Sequence, residues 1–137
     1  MKKAILTFVT TIFLTTAFSC SIDDNGGLVD PIAGKWNFTG HIRQGEEITL
    51  KDCDKLDFII FADNNTFEES NSEINTSNEC QAFAYAGTWT KTEEGKYTGK
   101  YNNDDDVITW ELSEDGKTLI DIEEDQNFRR ILIYTKK

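Results

Sequence analysis

The sequence has one histidine, His41, so nucleophile–base and acid–base pairs lack their commonest member. It has no Gly-rich phosphate loop, Gly-x-Ser-x-Gly elbow or His-Glu-x-x-His pair, which lowers the expectation of an enzyme without abolishing it. No cofactor is expected. Positive charge is scarce as well: 14 Lys and Arg stand against 25 Asp and Glu, a net −11. Beyond position 19 the contrast is 12 against 25. Such a body repels phosphate backbones, whose binding rests on Lys and Arg displacing counterions, and this excludes nucleic acid as a partner. No apolar run reaches the roughly 20 residues a membrane-spanning helix needs.

What is present is core material. Hydrophobic residues make up 38% of the 137 positions, including nine Phe, four Tyr and three Trp, so the chain is not a disordered polyelectrolyte. The length suits one domain with appendages.

Residues 1–19 are built differently from the rest. Lys2 and Lys3 precede an apolar run from Ala4 to Phe18, interrupted by Thr7, Thr10, Thr11, Thr15 and Thr16 and ending at the small residue Ser19. This is the construction of an export signal rather than of a permanent anchor. Ala17-Phe18-Ser19-Cys20 resembles the lipobox of bacterial lipoproteins, although that pattern prefers Leu, Val or Ile where Ala17 stands and a small residue in place of Phe18. The resemblance implies cleavage before Cys20 and attachment of fatty acyl chains, such as palmitate, at its sulfur. Each buried methylene contributes roughly 0.8 kcal/mol, so two or more chains give stable membrane attachment where one is marginal. Ser21-Ile22-Asp23-Asp24 looks like the acidic signal that directs some lipoproteins to the outer face of a gram-negative outer membrane. It reads equally as the start of a solvated linker, which leaves a periplasm-facing position open. Residues 20–30, poor in apolar side chains, have tether composition, and the folded domain is expected over 31–137.

With Cys20 assigned to lipid, Cys53 and Cys80 remain as a pair, and export places them where disulfides persist. A bridge between them would close a loop of about 28 residues, for which the loop-entropy relation predicts roughly 3.5 kcal/mol of stabilisation. Two thiols and His41 do not make a tetrahedral metal site. Asn103 and the run Asp104-Asp105-Asp106 lack the spacing of a calcium loop and read as a solvated turn.

After Pro31 the chain falls into short segments of period two divided by turn residues. Between Ala82 and Thr90, residues Phe83, Tyr85, Gly87 and Trp89 share a face. Between Lys35 and Ile42, Trp36, Phe38, Gly40 and Ile42 are expected on one side and Asn37, Thr39 and His41 on the other, which would make His41 a surface residue. Leu56 to Ala62 is more continuously apolar, suggesting burial on both faces or a packed helix. Further strands are expected over Thr66 to Ser70, Tyr97 to Tyr101, Val107 to Leu112, Thr118 to Glu123 and Phe128 to Thr135, with an Asp-Gly hairpin signal at Asp115-Gly116. About eight antiparallel strands in up-and-down order favour an all-β meander closed into a barrel, because closure removes exposed edges. A β-sandwich is the alternative.

Ile32-Ala33-Gly34-Lys35-Trp36 resembles the Gly-x-Trp signature at the first strand of lipocalins. Asp52-Cys53, the strand and turn over Leu56 to Asn65, then Cys80 and Gly87-Thr88-Trp89 follow the order found in the small bacterial lipocalin-like domain of lipoproteins. The resemblance covers most of 31–137 and implies a lipocalin-like barrel in which Trp36 packs across the base. The chain is shorter than the larger lipocalins and lacks their C-terminal helix, which argues against a roomy cup.

Trp36, Phe38, Tyr85, Trp89 and Trp110 are the candidates for lining a binding cup. The same rings would also serve simply to fill a small barrel. These readings predict a non-enzymatic lipoprotein, anchored in the bacterial outer membrane through Cys20, whose barrel binds or carries a small hydrophobic molecule. The alternative is a structural or interaction lipoprotein whose filled barrel contacts a protein or glycan at the cell envelope. An open lumen would separate the two.

Overall fold

The computed structural model describes residues 29–125 and 127–136. The signal segment, Cys20 and the tether up to residue 28 lie outside the described residues. Period-two patterning becomes nine antiparallel strands: β1 (Gly34–Arg43), β2 (Glu46–Glu47), β3 (Phe58–Phe61), β4 (Thr66–Ile74), β5 (Cys80–Glu93), β6 (Lys96–Tyr101), β7 (Val107–Leu112), β8 (Thr118–Asp125) and β9 (Phe128–Lys136). A single 3-10 turn, Asp54–Leu56, precedes β3. Neighbours in sequence pair from β3 through β9, and β1 pairs with both β3 and β9. Eight strands therefore form a closed up-and-down barrel, with β2 a two-residue addition to the edge of β1 that β3 leaves free. The sandwich alternative falls with that closure.

Aromatic rings fill one half of the barrel. Trp36, Phe61, Phe67, Tyr97 and Trp110 are fully buried there with Ile32, Ile59 and Leu119. Phe61 and Phe67 each meet the Trp110 ring edge-on, with centroids 5.0 and 5.1 Å away. Two inward glycines create the space: a Cβ on Gly99 would lie 2.2 Å from the Trp110 ring, and one on Gly87 would lie 2.5 Å from Phe67. No side chain fits at either place, so the alternation of rings with glycine on β5 and β6 is a packing requirement.

The segment before β1 stops this end of the barrel. Ile32 is buried, and its carbonyl accepts a 2.6 Å hydrogen bond from Trp36 Nε1. The Tyr97 hydroxyl donates to Asp30 Oδ1 at 2.5 Å, and Lys136 Nζ donates to the Pro31 carbonyl at 2.9 Å while standing 5.2 Å from the Trp36 ring centroid. Trp36 thus closes the base, as the Gly-x-Trp resemblance implies.

Two readings of individual strands change. The β1–β9 register slips between Phe38 and Gly40, a β-bulge that reverses the phase of β1 beyond Phe38. Gly40 then faces Ile133 on the outside of the barrel, and His41, paired with Leu132, turns into the lumen instead of lying on the surface. The apolar stretch Leu56 to Ala62 is shorter as a strand than expected. Ile59 and Phe61 point inward, while outward Phe58 lies under the Lys35 ammonium, 3.7 Å from its ring centroid.

Candidate functional site

Opposite the aromatic half, the lumen opens into a cavity of about 840 Å³. That is within the roughly 300 to 1,000 Å³ common for small-molecule sites. Its apolar floor is formed by Phe38, Tyr101, Ile108, Leu132 and Tyr134, with Phe38 and Tyr134 centroids 5.4 Å apart. Its walls are polar. The 3-10 turn and the residue that ends it contribute Asp54 and Asp57, β4 contributes Glu69 and Asn71, β8 Asp121 and Glu123, β9 Arg130, and β1, past its bulge, His41.

Several of these groups answer one another. The Tyr101 hydroxyl donates to Glu69 Oε2, and Arg130 Nη2 donates to Glu123 Oε1. Burial, with the Glu69 carboxylate as second cause, pushes the Tyr101 hydroxyl well above the usual phenol range, so it remains a donor. Burial and the nearby Arg130 and Arg43 lower His41, which leaves a neutral imidazole at neutral pH. Burial raises Asp57 to about 6 against the opposing hydrogen bonds from Ser72. Asp121, 6% exposed, is pushed up to about 7 by burial first and by Glu123 and Glu69 second, with Arg130 opposing.

His41 Nε2, Asp57 Oδ1, Asp121 Oδ1 and Arg130 Nε are buried and have no hydrogen-bond partner among the described residues. All four residues line this cavity. Buried polar atoms are normally paired, and each unpaired one costs about 1 to 3 kcal/mol. Four of the five such atoms among the described residues lie on the walls of this cavity; the fifth, Trp110 Nε1, is in the packed half.

A family model described as a lipocalin-like domain matches residues 32–115, more than half of the chain. The chain belongs to the lipocalin-like family. A search of curated proteins finds no match. The lipocalin-like fold is compatible with binding a small hydrophobic ligand, and the cavity lies at the end of the barrel away from the packed half that holds Trp36.

Of the five aromatic candidates, Phe38 lines the cavity. Trp36, Trp89 and Trp110 sit in the packed half, where Gly87 and Gly99 make room for rings, and Tyr85 shares the inward face of β5 opposite Glu69 but is 47% exposed, its ring 6.0 Å from that of Tyr101, and does not line the cavity. The Cys53–Cys80 disulfide is formed, with Cα atoms 5.4 Å apart. It ties the turn before β3 to the start of β5, beside the mouth. Asp105 pairs with Lys100 of β6 at 2.7 Å and Asp104 accepts the Asp106 amide, while Asp106 itself lines the cavity. Glu69, Asp121 and Asp57 escaped the sequence reading because acids are expected outside. The available signal was the pairing of Asp121 and Glu123 at the same spacing as buried Leu119.

Proposed function

We propose that the protein is a non-enzymatic carrier: a lipocalin-like barrel that receives a small molecule with a hydrophobic body in its open half. In this reading it is a lipoprotein of the bacterial outer membrane, held there by acyl chains on Cys20. The cavity of about 840 Å³ above an apolar floor supports carriage. A barrel meant only as a scaffold for a protein or glycan partner would gain packing by filling that space, as its other half does. Anchoring is supported by the lipobox-like Ala17-Phe18-Ser19-Cys20, and outer-membrane placement by Asp23 and Asp24 after it. Among the described residues, no helix is long and apolar enough to cross a membrane.

Native mass spectrometry of the protein purified from its host tests carriage. The expected result is a population heavier than the lipidated chain by one small molecule, released on unfolding. A single mass equal to the lipidated polypeptide, together with no uptake of any apolar dye, would overturn it.

A further inference from the structure

The charge of the lumen is lopsided. Eight carboxylates line it, against Lys51 and Arg130. Glu123 is matched by Arg130, and Glu69 has the Tyr101 hydroxyl. Asp121 has neither. It projects inward from β8 between Trp110 of β7 and Leu132 of β9, is 6% exposed, and its Oδ1 has no partner among the described residues.

The groups that reach Asp121 are mostly of its own sign or neutral, Glu123 on β8, Glu69 on β4, Tyr101 on β6 and Tyr134 on β9, and Asp57 before β3 and neutral His41 on β1 line the same cavity. Among the described residues, Arg130 of β9 is the one cation whose charge reaches it, and Arg130 is bonded to Glu123 through Nη2 while its Nε has no partner. Among the described residues, no set of three His, Cys, Asp or Glu side chains is placed to hold a metal ion. The complement of a lone buried carboxylate above an apolar floor is a single positive charge on an apolar body. Aromatic faces nearby, Phe38 and Tyr101, favour a cation as well.

We propose that the lumen takes an organic cation, a small amphiphile whose ammonium group seats on Asp121 and whose apolar body lies against Phe38, Ile108 and Leu132. This rests on the reading of the barrel as a carrier and narrows its cargo to one charge class. The ammonium requires the ionised carboxylate. With Asp121 held up to about 7, the cation displaces its proton, and affinity falls about tenfold for each pH unit below 7.

The test is titration calorimetry on the full chain with three eight-carbon probes: octylammonium, octanol and octanoate. Octylammonium is expected to bind most tightly and to release a proton at pH 6, seen as heat that varies with the buffer. Asp121→Asn is expected to weaken octylammonium on the order of 30-fold and to leave octanol unchanged. If octanol or octanoate binds as tightly as octylammonium, or if Asp121→Asn keeps the octylammonium affinity, the cation assignment is overturned while carriage stands. If none of the three binds, carriage is overturned with it.

Discussion

Asp121 occupies a position where a carboxylate is least at home, and its cost to the empty fold is measurable. Its folded-state value of about 7 lies above the ordinary 3.8, so the folded protein keeps this proton longer than the unfolded chain does as pH rises. Below about pH 4 both states hold the proton and there is no penalty. Between about 4 and 7 stability declines, by on the order of 4 kcal/mol once the group is ionised. Asp57, raised to about 6, acts in the same direction. Asp121→Asn should therefore raise the melting temperature clearly at pH 8 and little at pH 4, which melting curves across that range would check. An unaltered pH slope in the variant would assign the decline to another group. Sequence reading could not find this residue. In Leu119-Ile120-Asp121-Ile122-Glu123 the isoleucines invite the core and the acids the solvent, yet Ile120 and Ile122 pair with Ile133 and Ile131 on the outer face. Trp36, by contrast, was legible, because the Gly-x-Trp pattern ties its position to the base of the barrel.

At the level of elements, alternation located the eight barrel strands and failed where polar side chains line the cavity. β4 continues past Ser70 to Ile74 and pairs with β5 up to Cys80. Asn71, Ser72 and Glu73 read as loop because they are polar, but they are polar because they line the mouth. The bulge in β1 was equally hidden, with Gly40 its one hint. The disulfide joins the turn before β3 to the start of β5, 27 residues apart. Replacing both Cys53 and Cys80 by Ser should lower unfolding free energy by about 3.5 kcal/mol, the loop-entropy value, as read from the urea midpoint. An unshifted midpoint would mean that the bridge restrains nothing in the unfolded chain.

For the whole molecule, the family and the closed barrel agree with one another, while the proposed attachment to a membrane rests on the sequence ahead of the barrel. Cys20→Ala should move the protein from the membrane fraction into the soluble fraction of its host, as read by centrifugation and immunoblot. Continued sedimentation with membranes would refute acylation at that sulfur. The expectation of a compartment rests on composition and short motifs ahead of the barrel. The make-up of the lumen was not legible, because its lining comes from β1, the turn before β3, β4, β6, β7, β8 and β9, and no linear pattern records their meeting.

The stopper formed by Asp30 to Ala33 lies where β1 begins. Under the proposed anchoring at Cys20, a leash joining there would hold the cup by its bottom and leave its opening turned toward water. Cargo would then be scooped from solution rather than drawn sideways out of lipid, which suits a guest that carries a charge.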